Sequence, residues 1–470
     1  MAFLALTGAF ASNAQVFSKF GPKQDWMLRS VNPNVTDINA KHGGDYQGAM
    51  IYLPGEEVIT PVSLNKGYGL VRLDKKGAVK WQAEMPGYII GLAKKNGHLL
   101  AFYRVDEPKY IVVDMTTGEK LQDQPLYTNG PKISVDLFVL RDSADELKCI
   151  VINETVPKFM ATSYKTYLMN IKDMGGELKP PIDTDGMDVM AFLANGNGDL
   201  FVANCKDDFV QVTKYNAQGG LVKTLTTNIK AKKNVAMCFR KDAGEDKVLL
   251  ATSYLDKRDG FFSLTRFDFA AATISYGPTD EINKTYLSGI EKIEVKGLMR
   301  RNFEGMDELQ AADIILAGDK IIVIKEYYYL KASGTPSRPT SRPTSEGLVV
   351  SFYDRNLKPL KSIGLNRWNE TLTSGSLSIG HHVYGNKLYL VFANIRGIMS
   401  HANVFSTIDL AAMKFEDNKV LDHQNYASFF YTEGASTIWF DKSLLINYPL
   451  PSGNGSKRGN CVFQHVSLSE

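Results

Sequence analysis

The sequence predicts an all-β chain folded as a single β-propeller of four-stranded antiparallel blades. Three observations predict it. A unit of four short apolar strands recurs along most of the chain, Gly-, Asn- and Asp-rich turns separate the strands, and aromatic residues make up 11% of the composition, with 22 Tyr and 24 Phe.

Each element of the unit has a local reason. In the clearest copy, strand one covers residues 88–93, the turn is Asn96-Gly97, and strand two covers 99–103. Asn-Gly between apolar runs favours a tight hairpin because both turn positions need positive φ. Strand three is 110–114, Thr117-Gly118 turns the chain, and strand four begins at 119–121. A second copy runs through 189–193, the turn 195–198, 200–204, 210–215 and the turn 218–220 to 221–225. Second strands are placed at 58–62, 99–103, 150–153, 200–204, 248–252, 321–325, 388–394 and 444–447. Third strands follow at 69–74, 110–114, 166–171, 210–215, 262–268, 348–354, 404–409 and 461–466. That makes eight blades, most of them about 40 to 55 residues long, as four-stranded blades require. Seven is the alternative count if an insertion around 281–307 has been split into extra strands. The last unit stops after its third strand. An N-terminal strand, placed at 26–31, is expected to fill the open edge and close the ring.

Composition excludes several classes. The chain has 470 residues, 44% apolar and 22% charged, so it buries a core. Its 54 basic and 51 acidic residues leave a net charge of +3, with no general drive towards nucleic acid or membrane surfaces. No apolar run after residue 20 is long enough to span a bilayer. Residues 3–10 are apolar and small residues follow at 12–14, so residues 1–14 read as a signal peptide, although no Lys or Arg precedes the run. The expectation is a secreted or periplasmic monomer whose propeller occupies residues 15–470. Cys149, Cys205, Cys238 and Cys461 fit no metal or haem spacing and read as small buried hydrophobes.

Gly69–Trp81 reads GLVRLDKKGAVKW and Tyr110–Leu121 reads YIVVDMTTGEKL. Both resemble the blade signature of quinoprotein-like (PQQ-like) propeller repeats: an aspartate, a turn, a glycine, then Lys-x-Trp. The resemblance implies that Asp74 or Asp114 opens the turn, that Gly77 or Gly118 takes the positive-φ position, and that Trp81 packs between blades. The signature is structural, and only these two blades match it well.

The chemistry-bearing residues are sparse. A quinoprotein dehydrogenase would need a cofactor pocket, usually with adjacent Cys, and none of the four Cys are adjacent; no cofactor and no metal are expected. His381-His382 is the only His pair, and adjacent strand residues face opposite sides, so they do not share a metal. No nucleophile elbow, P-loop or dinucleotide fingerprint is present. Asn153, Asn204, Asn394 and Asn447 recur at the ends of second strands, either as turn caps or as amides near the channel mouth.

Loops between second and third strands lie on one face of a propeller and carry its recognition residues. The binding-face candidates are Tyr327, Tyr328, Arg396 and His401, with Arg258, Lys457 and Arg458, and the amides Asn204 and Asn394. Tyr and Arg are favoured at binding hot spots. Residues 333–346, with the near-repeat SRPT-SRPT, read as a flexible surface loop. The expected function is a non-catalytic scaffold binding a protein or glycan through this face, with no nucleic acid. The alternative is a propeller lyase or hydrolase acting on a polysaccharide at the channel mouth.

Overall fold

The computed structural model describes residues 16–28, 50–64, 66–132, 135–158, 161–184, 191–231, 233–257, 259–294, 309–335, 338–370, 379–397, 400–421, 437–449 and 460–469. Their strands form eight sheets, one for each predicted blade. The chain is a β-propeller. All eight predicted second strands lie within paired strands, and so do the eight third strands apart from Asp114 and Ile171, each one residue past its strand's end.

Both faces of a blade are buried against its neighbours, so the central strands read as nearly continuous apolar runs. Ile321–Ile324 and Leu388–Ala393 are buried throughout. Between blades five and six, Phe262 and Leu264 pack on Val323 and Val349. Between six and seven, Ile322 and Phe352 pack on Leu390 and Val404. Each side chain of this kind contributes about 1.5–3 kcal/mol through burial. The outermost strands face water on one side: Lys120–Pro125 is exposed along its whole length.

Ring closure differs from the expectation in its details. Val16–Phe20, not residues 26–31, pairs antiparallel outside Cys461–Ser467 and completes blade eight. Trp26 is buried against Phe463, with ring centroids 5.9 Å apart. Met27–Leu28 then enters blade one as part of its innermost strand, opposite Val62 and Ser63. The short apolar run at 26–28 is therefore an inner strand, and the preceding run makes the outer edge. Residues 1–14, which the sequence reads as a signal peptide, lie outside the described residues.

Among the described residues, the insertion near 281–307 adds no blade. Asp280–Ile282 finishes the outer edge of blade five, and Lys284–Ser288 is a one-turn helix capped by Asn283. Glu291–Ile293 then runs parallel to Pro359–Glu370 as a fifth strand of blade six. Blade three is the exception in the other direction. Among the described residues its fourth position is a single bridge, in which the Ile182 amide donates to Thr166 O at 2.8 Å.

Blade six also holds the longest hairpin. Lys320–Thr335 and Arg338–Asp354 pair from Lys320↔Asp354 to Thr335↔Arg338. The segment 333–346, which the sequence reads as a loop, has its described backbone within these strands.

Candidate functional site

The antiparallel order places the strand 1–2 and strand 3–4 turns on one face of the ring and the strand 2–3 connections on the other. The turn-bearing face is regular. Asn96 and Gly97 have φ of 51° and 78°, which fits the Asn-Gly hairpin. At the end of third strands, an Asp or Asn side chain accepts amides two to four residues on: Asp74 from Lys76 and Ala78, Asn216 from Gln218 and Gly220, Asp354 from Asn356 and Lys358. Gly77 and Gly118 have φ of 78° and 77°. A Cβ on Gly118 would lie 2.8 Å from the Trp81 ring, and Trp81 Nε1 donates to Met115 O at 3.0 Å. Trp81 thus joins blades one and two as its signature implies.

The innermost strands meet near this face through polar contacts. Asp145 in blade three accepts the Tyr52 amide of blade one at 3.1 Å, and Arg141 donates to Met50 O at 2.9 Å. Lys94 of blade two donates to Tyr52 O at 2.8 Å. His381 and His382 do face opposite sides. His381 Nε2 meets Asp313 Oδ2 of blade six at 2.5 Å, and His382 stacks on Trp439 of blade eight at 5.7 Å. Burial alone would raise the Asp313 pKa, but His381 and the charge of Arg240 outweigh it and hold the carboxyl below its ordinary range. Burial lowers the His382 pKa.

The loop-bearing face is built differently, and blade six is its centre. Lys325 and Glu326 sit where the second strand leaves the three-stranded body, and they face opposite blades. Lys325 is fully buried towards blade five. Its Nζ donates to Tyr286 Oη at 3.0 Å and Tyr353 Oη at 3.4 Å, lies 3.6 Å from Asp280, and sits 3.7 Å above the Phe262 ring. Burial opposes its charge, but the oxygens of Tyr353, Tyr286 and Asp280 raise its pKa above the usual lysine value. Glu326 faces blade seven and accepts from Arg367 NH1 at 2.7 Å. Arg367 is fully buried and also donates to Ala393 O at 3.1 Å. Lys325 thus pins the foot of the long hairpin to blade five, and Arg367, held by Glu326 within blade six, pins it to blade seven. A register shift between Tyr327 and Tyr328 follows at once, and such a bulge re-aims the strand beyond it.

The predicted site residues fall into three groups. Asn204 and Asn394 are buried between blades. Asn394 Oδ1 accepts the Trp368 amide of blade six at 2.9 Å, and its Nδ2 donates to Asn366 O at 3.4 Å. Asn204 Oδ1 is buried without a hydrogen-bond partner among the described residues. Tyr327 is half-buried at the foot of the hairpin, packed against the core between blades five and six. The backbones of Tyr328, Arg396 and His401 lie in Lys320–Thr335, Lys387–Gly397 and Ser400–Asp409, all bordering strand 2–3 connections. Arg258, Lys457 and Arg458 lie outside the described residues. The four cysteines are free, three of them buried, and burial pushes the half-buried Cys205 thiol up to about 11. The reading of the chain as sequence missed Lys325, Glu326 and Arg367. The available signal was a Lys-Glu pair closing the apolar run Ile321–Ile324 in a strand buried on both faces.

No family model matches this chain, and no curated protein sequence matches it. Among solved structures it is similar to BamB from Moraxella catarrhalis, at 10% identity and TM-score 0.42, over 95% of this chain and 98% of that one. It is similar to the dihydro-heme d1 dehydrogenase NirN, at 12% identity and TM-score 0.46, over 94% and 79%. It is similar to the polysaccharide lyase Uly1, at 10% identity and TM-score 0.39, over 83% and 92%. Likeness this low carries no chemistry across, and the propeller fold rests on the eight sheets of this chain.

Proposed function

We propose that the chain is a secreted or periplasmic, non-catalytic scaffold that binds a protein or glycan through the loop-bearing face. One observation supports this most: the blade-six hairpin stands above the ring on a foot fixed by Lys325 and by the Glu326–Arg367 pair. Rigid support of an extended loop is how a scaffold keeps the entropy cost of binding low. Tyr327, Tyr328, Arg396 and His401 border the same face, with Arg258, Lys457 and Arg458 contributed by the neighbouring connections in sequence.

The test is a screen of the purified protein on a glycan array and a displayed random-peptide library, with polysaccharides assayed in parallel for new chain ends. The expected result is a retained ligand, cross-linking to the loop-bearing face, without turnover. Release of new chain ends would replace this reading with the polysaccharide enzyme. Ligands cross-linking only to the turn-bearing face would overturn it.

A further inference from the structure

We infer that the seam between blades four and five is a binding site for structural water, held by the hydroxyls of Thr252, Ser263 and Thr265. The site is independent of the loop-face reading. Thr252 and Ser263 lie directly opposite each other in the second and third strands of blade five, and Thr265 is two residues from Ser263. Cross-strand partners and alternate residues share a face. Leu250 and Phe267 continue that face, and they belong to one core with Phe201, Ala203, Val210 and Val212 of blade four. All three hydroxyl residues are buried, and none of the three hydroxyls has a hydrogen-bond partner among the described residues. Burying a hydroxyl without a partner is unfavourable, so three on one face call for a polar guest.

Other blades satisfy the same hydroxyl within their own sheet. Counted from the pairs Leu200↔Tyr215, Val248↔Phe267, Ile321↔Tyr353 and Leu388↔Ile408, Thr265 is the counterpart of Thr213, Ser351 and Ser406 in blades four, six and seven. There the fourth strand supplies the partner. Thr213 Oγ1 meets Thr224 Oγ1 at 3.0 Å, Ser351 Oγ meets Ser362 Oγ at 2.9 Å, and Ser406 donates to Asn418 Oδ1. Opposite Thr265 the fourth strand carries an exposed tyrosine, Tyr276, and no such bond forms.

The seam also has room. At the level of Thr252 and Ser263, blade seven sets Phe392 and Val404 against Ile324, Leu348 and Val350 of blade six. Blade five sets Thr and Ser against Ala203, Val210 and Val212 of blade four. Each of these positions but one is smaller than its counterpart, and that one, Val212 for Val350, is equal. In the next row of the same face, towards the loop-bearing side, Tyr254 and Phe261 stack at 5.4 Å. The lining is therefore neutral, able to donate and accept, and closed to bulk solvent, as a buried water site requires.

The test counts long-lived water in the full chain by oxygen-17 magnetic relaxation dispersion. The parent is compared with a variant carrying Thr252→Val, Ser263→Ala and Thr265→Val. A smaller dispersion amplitude in the variant is expected, and an amplitude equal to the parent's overturns the site. Thr265→Val alone separates a wet seam from a dry one by sign. Loss of a hydroxyl that serves bound water lowers the unfolding midpoint, whereas loss of a hydroxyl buried with no partner leaves the midpoint unchanged or raises it. A fall is expected, and no change or a rise overturns the site. A crystal structure of the parent decides the matter even if a variant does not fold. Density at about 2.7–3.2 Å from at least two of the three hydroxyl oxygens is expected. A dry seam, or hydroxyls turned onto backbone carbonyls, would overturn it.

Discussion

Blade two and blade six follow one plan and spend their polar groups in different places. In blade two, the polar work is done by turns: Asn96-Gly97 and the Asp114 carboxylate, which accepts the Thr116 and Thr117 amides. Its second and third strands, His98–Arg104 and Pro108–Val113, meet through a short connection. In blade six the Asp354 turn repeats that device, yet charges are also buried inside the blade, at Lys325, Glu326 and Arg367. Burying charges is expensive unless they are paired. Blade six places them where a hairpin more than twice as long as that of blade two leaves the ring. Polar groups on the turn-bearing face build the ring, while those under the blade-six hairpin hold an appendage.

This contrast can be broken most sharply at Arg367. Arg367→Leu strands Glu326 in the blade and is expected to cost about 3–5 kcal/mol in denaturant unfolding, whereas the double replacement Arg367→Leu with Glu326→Leu recovers most of that loss. A single variant as stable as the parent would mean the buried pair does not support the hairpin.

In blade two the largest effect is expected at a turn glycine. Gly118→Ala combines a φ of 77° with a Cβ 2.8 Å from Trp81, and should lose about 1–3 kcal/mol. Gly97→Ala has the same kind of φ, 78°, in open space and should lose only about 1 kcal/mol. Equal losses would show that the Trp81 contact contributes nothing.

The shared turn should respond equally in both blades. Asp114→Ala and Asp354→Ala are each expected to lower stability by about 1 kcal/mol, read as shifts of the unfolding midpoint. A clear difference between them would break the claim that the two blades share one turn design.

The smallest effect is a pH dependence at the inner strands. Asp313 and His382 both have folded pKa values below their ordinary ones. Their stabilisation is therefore full above the ordinary values and is lost as pH falls through the folded ones. Melting temperature should decline below about pH 6.5, first through His382 and then, in the acid range, through Asp313. His382→Gln should flatten the first part of the decline and leave the second, and an unchanged profile would remove His382 from the account.

Much of the ring was legible because its causes are local. Asn96-Gly97, Asp74 and Gly77 fix turns through their own φ and hydrogen bonds, and apolar runs such as Ile321–Ile324 mark strands buried on both faces. The closing strand was misplaced because residues 16–20 and 26–28 are both short strand-like segments, and only the pairing with Cys461–Ser467 separates them. The recurrent Asn residues were legible as a pattern, and the structure places Asn394 as a cap on the neighbouring blade. The supports of the hairpin were not legible. Lys325 meets Tyr286 from an insertion and Phe262 from blade five, contacts that no sequence spacing reveals.

The most direct measurement of the central claim replaces Leu330–Pro343 with Asn-Gly and follows unfolding and ligand capture on the same protein. The account predicts an unchanged melting transition, because the foot at Lys325 and Arg367 remains, together with loss of the ligands held at the loop-bearing face. Full retention of those ligands would contradict it, as would unfolding of the ring.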